Sequence, residues 1–336
     1  PLTAYLRSSD LFPRLERAFA GEAVPPISIH ILAPAERYID VAFSTPMKLK
    51  PTDRGADVAL AIFADRTQAT VEREQRADFL ANASHELKPP IASIKGYIET
   101  LRGHAKDDPK AREKFLVIMQ DQAERMERLV IDLLSLRRIE SREHIAPTQS
   151  ADLCEALGGA FDAIRPLAEA HGVTLHLSKD VTEATIFGKT DECVQLFINL
   201  IENAVKLSPE GSQVDVTLTH LPQWQGTAFP NSREQAATRR IINLVPSEKP
   251  AWRVTISDAG PGFSRDHLPR IGERFYRVAG DLPAQEKGTG LGLAIVKHIA
   301  RRHRAGLFIQ TATAASGAPN PGTDFSVVFT ATDQIA

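Results

Sequence analysis

The sequence predicts a multidomain α+β protein: a small partial α/β cap, an antiparallel helical hairpin that dimerises into a four-helix bundle, and an α/β sandwich. Three observations carry that reading. Two long stretches repeat apolar residues at three-and-four spacing, the mark of helices that each bury one stripe. A short helical pattern followed by strand-like runs precedes them, and a mixture of helical and strand-like runs follows them. The 336 residues are enough for two or three domains, each with its own core.

The cap comes first. Leu11, Leu15 and Phe19 form a helical pattern ending at Gly21, and strand-like runs follow at Ile27 to Ile31, Tyr38 to Met47 and Val58 to Phe63. Pro, Asp and Gly separate them, as turns require. A helix leading into three antiparallel strands resembles the second half of a PAS sensor domain. Asp65-Arg-Thr67 is similar to the Asp-x-Thr junction that joins such domains to a signalling helix. The alternative is a small unrelated α+β cap. Residues 1–67 are assigned to this cap.

From Gln68 the chain becomes charged and helix-favouring, and it runs without Gly or Pro into the first long stripe: Phe79, Leu80, Ala83, Leu87, Ile91, Ile94, Ile98 and Leu101. His85 lies off that stripe. An imidazole on the outer face of a helix is a candidate nucleophile, because the adjacent Glu86 can fix one ring nitrogen as N–H and leave the other with a free lone pair. Pro89 and Pro90 lack N–H groups and deprive the carbonyls of His85 and Glu86 of partners, which predicts a bend one turn beyond the histidine. The stripe continues in phase through Leu101, so one kinked helix is expected rather than a stop at Lys88. A break at Lys106-Asp-Asp-Pro109 precedes the second stripe, Phe115, Ile118, Met119, Met126, Leu129, Val130, Leu133 and Leu136. Two helices so joined make a hairpin with each stripe half covered, and pairing of two copies completes the bundle. The second helix is read as packing only.

Ser84-His-Glu-Leu-Lys-Pro-Pro-Ile91 resembles the phosphoacceptor motif of sensor histidine kinases. That resemblance gives residues 68–144 a dimerisation and phosphotransfer role and makes His85 the acceptor, with Glu86 beside it. The family has Thr or Asn four residues after the histidine, where it orients the water that dephosphorylates a response regulator. Pro89 offers neither hydroxyl nor amide, so weak phosphatase activity by that route is expected.

Composition narrows the function classes. Forty basic residues stand against 42 acidic ones, a net charge of −2, so no polycationic surface for direct nucleic-acid binding is expected. Cys154 and Cys193 show no CxxC or metal-ligand spacing, which argues against a disulfide framework or a zinc site. No apolar run approaches the roughly 20 residues needed to span a bilayer. The resemblance implies the cytoplasmic region of an inner-membrane-anchored bacterial protein, with membrane contact only through a segment outside this chain.

Residues 145–336 read as the α/β layer: helices at Leu153 to Ala170 and Val194 to Leu207, and strands at 173–177, 184–187, 214–218, 253–257, 307–313 and 325–330. Asn199, Asn203 and Lys206 share one helical face. Hard amide oxygens beside an ammonium suit Mg²⁺ and the phosphates it bridges, although asparagines at that spacing are also common on solvated faces. Asp258, in Ile256-Ser-Asp-Ala-Gly-Pro-Gly-Phe263, ends a strand. A carboxylate there accepts from adenine's exocyclic amine and repels the guanine carbonyl, with Gly260 and Gly262 allowing close backbone approach. Gly288, Thr289, Gly290, Leu291, Gly292 and Leu293 open an apolar helix whose first N–H groups suit phosphate. In order, these segments resemble the N-box, G1 box and G2 box of the same family. Glu273-Arg-Phe-Tyr-Arg277 resembles its F-box, and 278–287 its ATP lid.

The resemblance covers roughly residues 68–336 and is most like the phosphate-regulon subgroup of sensor kinases. It implies ATP and Mg²⁺ as cofactors, with the metal on Asn199 and Asn203. Phe275, Tyr276 and Arg277 belong to the nucleotide site, Phe275 under the lid and Arg277 toward the γ-phosphate. The implied partners are a second copy of the chain and a response-regulator receiver domain. Two alternatives stay open at this point: a gyrase-like ATPase with Glu202 as its base, and a non-catalytic nucleotide-binding scaffold. Residues 221–250 lengthen a connection that the family keeps shorter. Their prolines and polar residues predict a mobile surface insertion, with Ile241 to Val245 able to dock on a partner or add a strand.

Overall fold

The computed structural model describes residues 11–32, 35–44, 47–48, 57–58, 60–226, 228–229, 233, 236–278 and 288–332. The chain divides into two compact units, residues 1–88 and 89–336.

In the first unit, α1 (Leu11–Phe19) packs on a three-stranded antiparallel sheet of β1 (Ile27–Ile31), β2 (Arg37–Phe43) and β5 (Ala61–Asp65), in the order β1-β2-β5. Leu11, Ile29 and Val41 are its buried centre, flanked by Leu15, Ile39 and Phe43. The two longer strand runs of the sequence are each divided, because β3 (Met47–Lys48) and β4 (Asp57–Val58) form a separate short ladder. Ser44 and Leu60 mark the parting: Ser44 N–H donates to the Leu60 carbonyl and Leu60 N–H to Ser44 Oγ, both at 2.9 Å.

The Asp65-Arg-Thr67 junction is a hydrogen-bonded corner. Thr67 N–H donates to Asp65 Oδ1 at 2.9 Å, Tyr38 N–H donates to Thr67 Oγ1 at 2.9 Å, and Arg66 N–H donates to the Tyr38 carbonyl at 2.7 Å. The sheet is thereby bolted to the first turn of α2 (Thr67–Arg102), which is helical throughout, with Pro89 and Pro90 inside it. Apolar phase overrides the two prolines, as the continuous stripe required.

In the second unit, the last turns of α2 fold back on α3 (Pro109–Glu140) through a tight turn closed by Ala105 N–H on the Thr100 carbonyl. Asp108 caps α3, its Oδ1 accepting from Lys110 and Ala111 N–H at 3.0 Å each, with Pro109 at the first helical position. This is the arrangement that satisfies orphan N–H groups at a helix start. Tyr97 and Phe115 stack across the hairpin at 5.0 Å. The α3 stripe is only partly covered: Leu129 and Leu136 are buried and Val130 is exposed, and the flanking Ile131 and Leu134 are exposed as well.

The remainder is a two-layer α/β sandwich. A six-stranded sheet runs in the order β10-β12-β13-β11-β9-β7, with β7 (Thr174–Lys179), β9 (Gln213–Leu221), β10 (Ala237–Ile242), β11 (Ala251–Ser257), β12 (Gly306–Ala312) and β13 (Gly322–Thr330). Among the described residues, only β7 and β9 pair in parallel. The helices α4 (Leu153–Ala170), α5 (Thr190–Leu207) and α6 (Gly292–Arg302) pack on one another and on the sheet. A two-stranded ladder of β6 (Ser150–Asp152) and β8 (Thr185–Phe187) flanks them. Both cysteines are free and buried.

The described part of 221–250 is structured, against the expectation of a mobile surface insertion. β10 pairs antiparallel with β12, so the inserted chain adds an edge strand, centred a few residues before the apolar run 241–245. Trp224 is 2% exposed, packs 5.6 Å from Phe308 and donates its indole N–H to the Leu244 carbonyl. With Ala228, Ala251, Phe308 and Val328 it builds a second core. That explains why β12 and β13 are buried almost throughout, whereas β9 alternates. The insertion covers the sheet face that the helices leave open, and the apolar area gained by Trp224 outweighs the local preference of its prolines for loop.

Candidate functional site

His85 is exposed on α2 and Glu86 beside it is half-buried, as an accessible acceptor on a helix face requires. The other predicted residues gather in the second unit, where four separate chain segments meet.

Asn199 sits on α5 with its amide N–H donating to the Gln195 carbonyl at 2.8 Å, which turns its Oδ1 outward. That oxygen lies against Gly292, where an added Cβ would come within 2.7 Å of it. The N-box and the Gly-rich segment are thus in contact, and a larger residue at 292 would push the Asn199 side chain aside. Asn203 is half-buried one turn on, and Lys206 donates to Glu202 from the next turn. Among the described residues no group of three or more His, Cys, Asp or Glu could hold a metal; the hard oxygen atoms on this face of α5 include the Asn199 and Asn203 amides. Two asparagine oxygens supply too few ligands for an all-protein cage and suit Mg²⁺ shared with phosphate.

At the end of β11, Asp258 is 6% exposed and its Oδ1 accepts from Gly260 N–H at 2.9 Å and Thr323 N–H at 3.0 Å. Committing one carboxylate oxygen to two main-chain donors fixes the direction of the other. Burial pushes the carboxyl up to about 6, against the lowering effect of those N–H groups and of Arg233. Gly262 has φ +64°, and a Cβ there would lie 2.1 Å from the Ala312 carbonyl oxygen, so this turn admits glycine alone.

Phe275 adopts φ +61°, a conformation rare for a bulky side chain. Its N–H donates to the Gly290 carbonyl at 2.9 Å, while Arg277 donates to the Gly288 carbonyl at 3.2 Å. The F-box is therefore stitched to the Gly-rich segment. Tyr276 faces away, its hydroxyl 2.7 Å from His267 Nδ1 and its ring under Arg270. Residues 279–287, the body of the predicted lid, lie outside the described residues. Leu291 precedes α6 and gives its first turn no side-chain cap. Together with the partial positive charge of a helix start, that makes an anion seat.

Sequence reasoning missed a set of contacts from α3 and the turn after it. Asp132 Oδ2 accepts from Thr289 Oγ at 2.7 Å, and Ser135 Oγ accepts from the Gln195 amide at 2.7 Å. Glu140 pairs with Arg274 at 2.6 Å, and Glu143 pairs with His298 and Arg301. Burial raises the Asp132 carboxyl, partly countered by its bond to Thr289. The available signal was a carboxylate interrupting the apolar run Val130 to Leu134. Gly188-Lys-Thr190, which looks like the tail of a phosphate loop, instead starts α5.

Comparison with known proteins matches these two regions separately. The model of the His Kinase A (phospho-acceptor) domain matches residues 75–142, and that of the histidine kinase-, DNA gyrase B- and HSP90-like ATPase matches 188–333. The chain belongs to the sensor histidine kinase family. Among the relatives of this kinase chain, the phosphate regulon sensor protein PhoR of Pseudomonas aeruginosa is 34% identical over 273 residues, covering 80% of this chain and 53% of that protein. The sensor histidine kinase WalK of Bacillus subtilis is 26% identical over 249 residues, covering 74% and 36%. The chain thus spans about half the length, or less, of these relatives. A crystal structure of histidine kinase ThkA in complex with response regulator protein TrrA shares the fold, with a TM-score of 0.55 at 19% identity, over 97% of this chain and 84% of that one.

Proposed function

We propose that the chain is the catalytic region of a sensor kinase that transfers the γ-phosphoryl group of Mg-ATP to His85 and then to an aspartate of a response regulator. The observation that carries this reading is the contact of Asn199 with Gly292 at the uncapped start of α6. It joins a hard oxygen donor to a phosphate seat within a chain that also exposes His85 on a helix.

In this reading Asp258 accepts from the adenine amine, and Asn199 and Asn203 hold Mg²⁺, which offsets phosphate charge when bound. Lys206 and Arg277 stabilise charge on the moving phosphoryl group, Lys206 after release from Glu202 and Arg277 after release from the Gly288 carbonyl. Gly288, Thr289, Gly290, Leu291, Gly292 and Leu293 hold the phosphates, and Phe275 supports the base of the lid. His85 attacks through the ring nitrogen that carries the lone pair, and Glu86 holds the proton on the other. Pairing of two copies would cover the exposed apolar residues of α2 and α3, among them Ile91, Ile98, Ile131 and Leu134.

Residues 1–67 would act as a PAS-like input unit, 68–144 as the dimerisation and phosphotransfer unit, and 145–336 as the ATP-binding unit. The Thr67 corner would pass movement of the sheet into α2. The relation to PhoR favours a role in the phosphate response, and the ThkA complex with TrrA favours a receiver domain as partner. Among the described residues no helix is long and apolar enough to cross a membrane, and a cytoplasmic position is part of the proposal. A gyrase-like ATPase is disfavoured because it gives the exposed His85 of α2 no role.

The test is Mg²⁺-dependent incorporation of label from γ-labelled ATP into the parent and into His85→Gln. Acid-labile label in the parent alone is the expected result. Turnover or binding of ATP in both proteins without stable label would replace this reading with an ATPase or a scaffold.

A further inference from the structure

The inserted segment does more than cover the sheet. Arg233, its one described residue between 229 and 236, reaches from the insertion to the main chain of Asp258. Its Nε and Nη2 fork onto the Asp324 carboxylate at 2.9 and 2.6 Å, and the same Nη2 donates to the Asp258 carbonyl at 2.7 Å. Nη1 donates to the carbonyls of Asn320 and Pro321 at 3.3 and 3.1 Å. Asp324 is held in turn by the Gln310 amide at 2.5 Å. The Arg233 side chain is 17% exposed and that of Asp324 8%, so the fork is largely shielded from water and its geometry is set by packing.

Asp258 is therefore held at its N–H, its carbonyl and one carboxylate oxygen by one corner of the fold. Its N–H donates to the Thr323 carbonyl at 2.9 Å, its Oδ1 accepts from Thr323 and Gly260, and its carbonyl accepts from Arg233. Gly322 sits in the same corner, where a Cβ would fall 2.2 Å from the Asp258 oxygen and 2.5 Å from the Arg233 guanidinium. The carbonyl of Asp258 and its side chain share one Cα, so a shift of the first by a few tenths of an ångström redirects the second. Arg is suited to this task because a planar fork can satisfy a carboxylate and still aim a further N–H at a carbonyl, which an ammonium does not do with fixed geometry.

We propose that Arg233 is a positioning residue for nucleotide recognition: through the Asp324 fork it fixes Asp258, and so sets both ATP affinity and the preference for adenine over guanine. The inference rests on the reading that Asp258 meets the base. It makes the insertion part of the nucleotide site without contact between Arg233 and the ligand.

The experiment measures KM for ATP, kcat for His85 labelling and the ATP-over-GTP binding ratio for the full chain, its Arg233→Lys and Arg233→Ala variants, and Asp258→Ala. Arg233→Lys keeps a cation beside Asp324, which protects folding, while it loses the fork. The expected result is a rise of about tenfold in KM for Arg233→Lys, a kcat within twofold of the parent, and a fall of similar size in the ATP-over-GTP ratio. Arg233→Ala should show the same pattern or a larger one. A lowered melting temperature with KM and base preference unchanged in Arg233→Lys would reduce Arg233 to a structural role and overturn the proposal. If Asp258→Ala itself keeps the parent's base preference, the reading of Asp258 fails first, and the proposal with it.

Discussion

Replacing Asp258 by Asn separates what the folded state tolerates from what the nucleotide needs. The carboxyl is 6% exposed, and burial moves it from 3.8 up to about 6. Holding it ionised at pH 7 therefore costs about 3 kcal/mol. An asparagine oxygen can accept from the same Gly260 and Thr323 N–H groups and carries no charge to desolvate. It forgoes the extra strength of bonds to an ionised acceptor, so a net gain of about 2 kcal/mol is expected, or roughly 4–8 °C in melting temperature for a domain of this size. The sign follows from the raised value. Stability due to the protonated Asp258 is full below pH 3.8 and is lost as pH rises through 6, so the advantage of Asp258→Asn grows across that window and is level above it. Binding moves the other way, because an amide N–H aimed at the adenine amine leaves two donors facing each other. That costs about 1–3 kcal/mol, roughly tenfold to a hundredfold in ATP affinity. Thermal melts of the ligand-free proteins from pH 4 to 8, with ATP titrations at pH 7.5, read both effects. An Asp258→Asn variant no more stable than the parent at pH 7.5, with a pH-independent difference, would refute the burial argument; undiminished ATP affinity would refute the base contact.

Three further outcomes follow from single contacts. Trp224→Ala opens the second core between the insertion and β12 and should destabilise the protein by about 3–5 kcal/mol in denaturant melts; a loss below about 1 kcal/mol would mean that the insertion does not hold this face. Asp132→Ala removes a carboxylate from the hydroxyl of Thr289 in the phosphate segment, so ATP affinity should rise a few-fold in equilibrium titration, and an unchanged value would show that the two anions do not compete. Pro89→Thr restores a hydroxyl four residues after His85 and should increase dephosphorylation of a phosphorylated receiver domain. The absence of any gain would count against the expectation that Pro89 limits dephosphorylation of the regulator.

Periodicity made the helices legible, and it prevailed even over Pro89 and Pro90, because a stripe that keeps phase across a break is a long-range constraint and a proline only a local one. The order of glycine-bearing segments was legible for a similar reason: Gly262 and Gly292 sit where a Cβ would strike a carbonyl oxygen or Asn199, so the residue type itself carries the geometry. The roles of Asp132 and Arg233 were not legible. Each acts through a partner far along the chain, 157 residues away at Thr289 and 91 at Asp324, and a lone Asp or Arg in a polar context does not announce a partner. The insertion misled because its four prolines and its charged residues outnumber the one tryptophan that decides its fate. Composition averages over a segment, whereas a single buried indole with a hydrogen-bonded N–H can fix where that segment lies. Once Trp224 anchors the insertion on β12 and β13, Arg233 is within reach of Asp324, and a stretch that looked like loop becomes a support for the base of the nucleotide site.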